Sequence, residues 1–365
     1  MRTAYRCRAY PDPAQQAVLN RTFGCVRKVW NTTLAARQQR YVTSRTATSY
    51  AQTDRALTDM KKNPDLAFLN EVSSVPLQQT LRHQHQAFGA FFAKRAHYPR
   101  FKSRFVRQSA HYTRSAFTMR SGELHLAKTS GSLRFRWSWP NVDVAALNPS
   151  MVVVSREPDG RWYVTFTVEA EDPEPLRQAG RAVGLDLGIK DFAVTSDAKK
   201  LANPRHLERK ARNLARYQRR LARCQRGSAN RAKARLKVAR AHRKVRNARS
   251  DFLHRSSTRL VRGNDVIVID RWYPSTKTCS ACGRLLAKLS LSTRTWQCPS
   301  CGTRHDRDVN AAKNILAAGQ AVTACGADVR HSGTSRAQSA VKQEPQPVTA
   351  GIPVLQGEEK STFSS

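Results

Sequence analysis

The amino-acid sequence predicts a mixed fold in which an α/β unit and α+β units are joined in one chain. Three observations predict it. Helix-like and strand-like hydrophobic periods alternate along the chain, a carboxylate interrupts an apolar strand at 183–188, and two Cys-x-x-Cys pairs lie within 279–301. With 365 residues, the chain is long enough for two or three compact units, each with its own hydrophobic core.

The N-terminal half is expected to combine a helical bundle with a β-structure. Residues 5–10 alternate like a short strand, and Pro13 is suited to the first position of a helix. Apolar residues then recur at helical spacing through 13–95. The strand-like runs that follow are 133–139, 151–155 and 162–168. We therefore expect a small antiparallel barrel or sheet from 1–12 and 96–175, with the helical bundle inserted.

Charge is the first functional indication. Lys and Arg together number 64 against 26 Asp and Glu, a formal net charge of +38. Self-repulsion of this size disfavours a compact state unless a polyanion neutralises it, as a nucleic-acid backbone does. No apolar run approaches the roughly 18 residues of a membrane span, and no signal peptide or lipidation motif opens the sequence. We expect a nucleic-acid-binding protein in a prokaryotic cytoplasm, associated with the nucleoid.

Two segments carry the side chains expected to contact nucleic acid. In the first, aromatic residues alternate with cations, as in surfaces that stack on bases and pair with phosphates; the alternative is a half-buried edge strand. Its candidate contacts are Tyr98, Arg100, Phe101, Lys102 and Arg104. The second, 205–262, reads as two cationic helices paired through apolar seams, with almost no acids to neutralise them. The cations expected on its outer faces are Arg219, Arg220, Arg223, Arg235, Arg243 and Lys244.

The two Cys-x-x-Cys pairs predict a structural zinc site. They consist of Cys279, Cys282, Cys298 and Cys301. Four thiolates at this spacing close a tetrahedral Zn²⁺ shell and leave no position for a catalytic water. A redox dithiol would explain one pair but not the second. The sequence therefore predicts a zinc ribbon that stabilises the fold.

Two carboxylates are candidates for a second metal site. Asp186 lies within the apolar strand 183–188, and 192–196 is suited to the antiparallel return. A buried central carboxylate must be neutralised, hydrogen-bonded or metal-bound. Asp308 begins a helical stretch after the second Cys pair, where it can face inward. The alternative is that Asp306 and Asp308 cap the helix N-terminus.

Three stretches resemble motifs of the TnpB family, the transposon-encoded RNA-guided nucleases related to type V CRISPR effectors. They are 184–192, 271–279 and 306–315. The resemblance implies a wedge-type β-barrel with an inserted helical recognition bundle, followed by an RNase-H-like RuvC core interrupted by a zinc ribbon. The core would comprise 180–272 and 304–322, including the hairpin 205–262, and the ribbon 273–303. Residues 323–365 are expected to form a disordered tail, because they are polar and aperiodic.

The resemblance also implies partners and a second cofactor. A guide RNA from the transposon end would pair with double-stranded target DNA, while the protein reads a short adjacent DNA motif. Tyr50 and Gln78 fall where the family reads that motif, although surface helix residues are the alternative. Asp186 and Asp308 would hold Mg²⁺. The sequence leaves the oligomeric state open.

The sequence departs from the family in the RuvC core. The family's second metal-binding carboxylate is a Glu that closes a strand, and a later strand leads into the first Cys pair. This chain has one such strand, 266–270, which suggests an internal deletion. Either Asp270 replaces the Glu, or the Glu strand is missing and Asp270 points elsewhere; the flanking residues favour the second.

Three functions follow from these alternatives. The first is an RNA-guided DNA-binding protein with impaired cleavage, because two of three carboxylates cannot build the usual two-metal site. The second is an active Mg²⁺-dependent nuclease that uses Asp186, Asp270 and Asp308. The third is a zinc-ribbon RNA-binding transposon relic with no targeting role.

Overall fold

A computed structural model describes residues 2–170, 174, 176–270, 273–290 and 292–324 of the chain. Its contacts define two units. Unit 1 comprises Met1–Arg177 and Arg205–Ser256, and unit 2 comprises Gln178–Pro204 and Ser257–Ser365.

The helices of unit 1 begin where the sequence supplies capping groups. Helix α1 (Pro13–Ser44) has Pro at its start, and the side chains of Asp12 and Gln15 each accept the other residue's backbone N–H. Helix α2 (Tyr50–Lys62) begins with the same reciprocal arrangement between Ser49 and Gln52. The remaining helical elements here are a 3₁₀ segment (Pro64–Asn70) and α3 (Ser74–Phe92). The predicted apolar face of α1 is buried, and its residues are Leu19, Phe23, Val26, Trp30 and Leu34.

A five-stranded antiparallel sheet completes the N-terminal part of unit 1. Its strands are β1 (Arg2–Ala9), β2 (Gln108–Thr113), β5 (Phe135–Arg136), β6 (Met151–Arg156) and β7 (Trp162–Glu169), in the order β2-β6-β7-β1-β5. A separate hairpin joins β3 (Phe117–Arg120) to β4 (Glu123–Leu126). Alternation along β7 places Val164 and Phe166 in the core. The predicted strands 151–155 and 162–168 are present, whereas 133–139 forms only the two residues of β5.

The cationic segment forms two helices, α4 (Glu208–Arg223) and α5 (Ala229–Gly263). The sequence predicts that this segment belongs with the RuvC-like core, and that assignment stays a prediction. By their contacts, residues 205–256 group with unit 1. The reason is a pair of buried acids in the β6–β7 turn: Asp159 pairs with Arg243, and Glu157 with Arg246, at 3.5 Å. These ion pairs hold α5 against the sheet of unit 1.

Unit 2 is built on a four-stranded sheet. Strands β8 (Ala182–Leu187), β9 (Asp191–Thr195) and β10 (Lys200–Ala202) form an antiparallel meander, and β11 (Val266–Val268) pairs parallel to β8. The antiparallel return after Asp186 is therefore as predicted. The strand predicted at 266–270 ends at Val268.

The cysteine-containing segment and a final helix complete unit 2. Strands β12 (Thr295–Gln297) and β13 (Arg304–Asp306) form a hairpin, and α6 (Arg307–Ala324) follows directly. The predicted disordered tail lies outside the described residues from 325 onward, and residues 323 and 324 belong to α6. Within the described part of the chain, no helix is both long and apolar enough to cross a membrane.

Candidate metal centres and nucleic-acid surface

Helix α6 approaches β8 closely because glycine lies at the point of contact. A Cβ atom on Gly184 would lie 2.1 Å from the carbonyl oxygen of Ala312, and a Cβ on Gly319 would lie 2.4 Å from Val268. Both distances are far shorter than van der Waals contact. The close approach therefore requires glycine at position 184 on β8 and at position 319 on α6.

This packing brings Asp186 and Asp308 together. Asp186 lies two residues after Gly184, on the same face of β8, and Asp308 lies one helical turn before Ala312, on the same face of α6. The pKa of Asp186 is raised to about 6, first by burial and then by the negative charge of Asp308, against the opposing effect of Arg307. Asp186 and Asp308 are therefore two neighbouring carboxylates that could together hold a cation.

Asp306 and Asp308 have different roles. The Asp306 carboxylate accepts the backbone N–H groups of Asp308 and Val309, at 3.0 and 3.2 Å, and therefore caps α6. Its other oxygen lies 3.0 Å from Nζ of Lys200. Asp308 is not used as the cap, and its Oδ2 lies 3.6 Å from Nη1 of Arg294.

Asp270 is not part of this pair in the structure. Its side chain is exposed, and Oδ1 accepts the backbone N–H of Tyr273 at 3.0 Å. Among the described residues, no three carboxylates lie close enough together to share one ion. The strand before it nevertheless lies directly beside β8, where Ile267 pairs with Val183 and Val268 with Gly184. If that parallel register continued for two residues, Asp270 would be level with Asp186.

The four predicted cysteines converge on one point. All four sulfur atoms lie within 4.8 Å of one another, and the pairs Cys279–Cys301 and Cys282–Cys298 are each 3.7 Å apart. A tetrahedral ion with Zn–S bonds of about 2.3 Å needs sulfur atoms about 3.8 Å apart. The donor set and its spacing thus fit Zn²⁺. Nε2 of His305 lies 3.1 Å from the sulfur of Cys279 and supplies a polar contact to the ligand.

Two asparagines that the sequence analysis did not identify connect α6 to the first cysteine pair. Asn310 and Asn314 are both buried and lie one turn apart on α6. Their side chains bond the backbone of the segment that carries Cys279. Two asparagines four residues apart were the signal in the sequence, since their partners are backbone groups 30 or more positions away.

The segment 98–105 divides into buried and exposed side chains. Tyr98 packs edge-on against Phe88 and Phe91, with ring centroids 5.5 and 5.3 Å apart. Lys102 is directed inward over the ring of Trp30, at 4.1 Å, and burial lowers its pKa to about 8. The prediction that Lys102 contacts nucleic acid is therefore not supported, because its ammonium group points into the protein. The predicted contacts that remain exposed are Tyr98, at 37%, Arg100, Phe101 and Arg104.

Phe105, the last residue of the same aromatic and cationic segment, extends this surface. Its ring is 45% exposed and lies between two guanidinium groups, those of Arg104 at 4.9 Å and Arg235 at 3.8 Å. Arg235 comes from α5, so the loop and the cationic helix form one surface within unit 1. Aromatic rings flanked by cations are suited to base stacking.

The predicted cations of the hairpin are exposed with two exceptions. Those on the surface are Arg219, Arg220, Arg223 and Lys244. Arg235 is partly covered at Phe105. Arg243 was expected on an outer face, but its side chain is only 12% exposed because it pairs with the buried carboxylate of Asp159. Arg243 therefore holds α5 in place instead of facing solvent.

The two predicted motif-reading residues lie on adjacent helices. Tyr50 is half-buried at the start of α2, with its ring 6.2 Å from that of His85 on α3. Gln78 is exposed on α3.

The sequence matches three family models. A model of the IS605 OrfB type, described as a probable transposase, matches residues 165–273. A model described as the Cas12f1-like TNB domain matches 259–315, and a helix-turn-helix domain model of IS605 OrfB proteins matches 1–45.

Curated relatives match over almost the whole chain. A Streptomyces pristinaespiralis protein, whose name describes an RNA-guided DNA endonuclease, is 46% identical over 403 residues, which cover 97% of this chain and 99% of the relative. The similarly named InsQ of Escherichia coli is 27% identical, with 94% of this chain and 97% of the relative covered. A solved Cas12f1–sgRNA–target DNA complex is similar over 83% of each chain, at a TM-score of 0.45 and 12% identity. Because the first relative is nearly half identical over almost its entire length, the chain belongs to the TnpB (IS605 OrfB) family.

Proposed function

We propose that this protein is an RNA-guided DNA-binding protein of transposon origin in which DNA cleavage is impaired. The observation that carries the proposal is a site with two carboxylates instead of three. Asp186 lies close enough to Asp308 for the negative charge of Asp308 to raise its pKa, whereas Asp270 is exposed and bonded to Tyr273.

Cleavage by this family's chemistry depends on metal ions held by carboxylates. When bound, Mg²⁺ activates the attacking water and stabilises the leaving oxygen. Asp186 and Asp308 fit one such ion, since Mg²⁺ in nucleotide-processing sites is commonly held by one or two carboxylates and by substrate phosphates. A second ion would lack a ligand of its own, because the third carboxylate is displaced.

The comparison with relatives supports a deletion. The alignment with the Streptomyces protein extends over 403 positions, and this chain has only 365 residues, so the relative contains segments that are absent here. A missing Glu strand in the core would account for the single strand β11 before the cysteines.

The exposed cations and aromatic rings of unit 1 support nucleic-acid partners. We infer that the surface formed by Phe101, Arg104, Phe105 and Arg235 stacks on unpaired bases, and that α4 lies along a phosphate backbone. A guide RNA from the transposon end and double-stranded target DNA are the proposed ligands. We also propose that Zn²⁺ is the resident ion of the four cysteines.

The proposal is tested with the full-length protein purified with an RNA transcribed from the element's end. Matched target DNA should be bound with nanomolar affinity in Mg²⁺, while cutting should be at least about a hundredfold slower than for the Streptomyces relative. The Asp186→Asn variant is the matched control, and it should bind the target equally well. Rapid target-dependent cutting that this substitution abolishes would contradict the impairment. Co-purified RNA of random sequence, with no enrichment of transcripts from the element's end, would favour the third alternative, a zinc-ribbon RNA-binding transposon relic with no targeting role.

One observation favours an active nuclease as the second candidate. Strand β11 lies directly beside β8 and runs parallel to it, so a small movement of the residues after Val268 would bring Asp270 beside Asp186. In that case Asp270→Ala should abolish cleavage. Asp251→Ala, a change of an exposed carboxylate on α5, should leave it unchanged.

A further inference from the structure

Helix α6 is held between the sheet of unit 2 and the cysteine-containing segment. Asp308 and Ala312 face β8, whereas Asn310 lies two residues from Asp308, or about 200° around the helix. Asn314 continues the face of Asn310. The helix therefore has one face for the carboxylate pair and the opposite face for the cysteines.

The contacts on the second face are all to backbone groups near Cys279. Nδ2 of Asn310 donates to the carbonyl oxygens of Thr278 at 2.7 Å and of Ser275 at 3.3 Å, and Oδ1 accepts the N–H of Ser280 at 2.9 Å. Nδ2 of Asn314 donates to the same two carbonyls, at 2.6 and 2.8 Å. The bonded residues lie on both sides of the first zinc ligand.

The second cysteine pair is joined to the start of the same helix. The N–H of Arg307 donates to the carbonyl oxygen of Arg294 at 2.8 Å, and His305, which contacts Cys279, lies two residues before α6. The segment that carries the first cysteine pair and the residue that precedes strand β12 thus both bond to the first two turns of α6.

We propose that Asn310 and Asn314 are positioning residues that link metal binding at the four cysteines to metal binding at Asp186 and Asp308. The inference rests on the proposed function in one respect, that this carboxylate pair binds Mg²⁺. The buried amides find their partners only when the segment 275–280 has the shape that four coordinated thiolates impose. When that shape is lost, the amides lose their hydrogen bonds, and α6 no longer holds Asp308 opposite Asp186.

Linkage of this kind is reciprocal. If zinc increases the affinity of the carboxylate pair for Mg²⁺, then Mg²⁺ must increase the affinity of the cysteines for zinc by the same factor. A coupling of about tenfold is typical of allosteric sites. The prediction can therefore be tested first without changing any residue of the coupling path.

The first experiment measures zinc release from the full-length protein to a chromogenic chelator, with and without saturating Mg²⁺. Mg²⁺ should slow release about tenfold in the unaltered protein and have no effect in Asp186→Asn. Calorimetry of Mg²⁺ binding to both proteins is run in parallel. If calorimetry detects Mg²⁺ at the pair but zinc release is unaffected, the linkage is absent while the metal site stands. If the two proteins bind Mg²⁺ identically, the metal site and the linkage both fail.

The second experiment removes the amides. The double variant Asn310→Ala/Asn314→Ala should retain one zinc per chain and bind Mg²⁺ about tenfold more weakly, with Mg²⁺ no longer slowing zinc release. Asn264→Ala is the matched control, because that amide also donates to a backbone carbonyl in unit 2 but not to the cysteine segment. If the double variant does not fold, the isosteric Asn314→Asp replaces it, since the change removes the donor and keeps the volume. Unchanged Mg²⁺ affinity in a zinc-loaded variant would overturn the proposal.

Discussion

The half-buried carboxylate of Asp186 lowers the stability of the folded protein at neutral pH when no metal ion is bound. Its pKa lies near 6 instead of 3.8, because burial and then Asp308 disfavour the charged form. The folded state therefore binds a proton more readily than the unfolded chain does. The contribution of Asp186 to stability is therefore fully present below about pH 4 and is lost as the pH rises through 6, where the carboxylate must be charged in the folded protein.

We predict that Asp186→Asn stabilises the protein in Mg²⁺-free buffer at pH 7.5, by on the order of 1 kcal/mol. The gain should vanish near pH 4, and added Mg²⁺ should raise the melting temperature of the unaltered protein only. Thermal unfolding across this pH range measures both effects. Asp191→Asn, a carboxylate change in the neighbouring strand β9, serves as the control. A variant less stable than its parent at pH 7.5 would show that the carboxylate is stabilised in some other way.

Gly184 sets the separation of β8 and α6, and a single methyl group should test it. In Gly184→Ala the new Cβ would overlap the carbonyl of Ala312 and lie 2.7 Å from the N atom of Leu316, both backbone atoms that cannot rotate away. We predict a loss of about 3 kcal/mol or more in the stability of unit 2. Gly263→Ala has open space at its Cβ and should be neutral or slightly stabilising. Chemical denaturation compares the two, and equal stabilities would mean that the helix shifts without penalty.

Residues with local signatures could be predicted from the sequence, and residues with distant backbone partners could not. The four cysteines are defined by spacing, and Asp186 by a charge within an apolar strand. Asn310 and Gly184 carry no such signature, because their roles depend on backbone atoms far away in the sequence. The inward direction of the Lys102 side chain likewise depends on its contact with Trp30, which lies on α1.

At the scale of elements, α5 combines two kinds of cation on one helix. Arg243 is paired with the buried Asp159, while the next residue, Lys244, is exposed. Removing the Arg243 side chain leaves the buried carboxylate of Asp159 with Arg161 as its neighbouring cation, at 3.8 Å. Removing the Lys244 side chain takes one positive charge from the surface.

We predict that Arg243→Ala lowers stability by about 3 kcal/mol, as expected when one partner of a buried ion pair is lost. Lys244→Ala should change stability by less than about 0.5 kcal/mol and reduce the salt dependence of nucleic-acid binding by about one unit of slope. Unfolding curves and salt titrations of RNA binding distinguish the variants. If Arg243→Ala lowers the slope and leaves stability intact, then Arg243 contacts phosphate.

The helices and strands were predictable from the sequence where one period of apolar residues persisted over many positions. Helix α1 and strands β6 to β9 follow from their apolar spacing. The grouping of residues 205–256 with unit 1 was not predictable, because charge composition does not reveal which arginines meet buried acids. Strand β5 is only two residues long because Tyr5, Trp137 and Trp139 pack together as a cluster beyond it, with centroids 5.0 to 5.3 Å apart.

At the scale of the molecule, the four clustered cysteines all lie in unit 2, and the core that contains β1 and β7 lies in unit 1. We predict that removal of the metal by a chelator abolishes hydrogen-exchange protection in 275–314 and leaves β1 and β7 protected, since their core lies in unit 1. Hydrogen exchange followed by mass spectrometry provides the measurement. Loss of protection throughout the chain would mean that the two units unfold as one.

The side chain of Asn31 bears on the affinity of the loop 98–105 for the single-stranded nucleic acid that we propose it binds. It bonds Lys102 as a neighbouring strand would, donating to its carbonyl at 3.0 Å and accepting its N–H at 2.8 Å, while Trp30 donates to Arg100. The loop bearing Phe101 and Phe105 is thus already fixed before any base arrives. In the proposed role of these rings, little conformational freedom would remain to be lost on association, and the binding affinity would reflect base stacking itself.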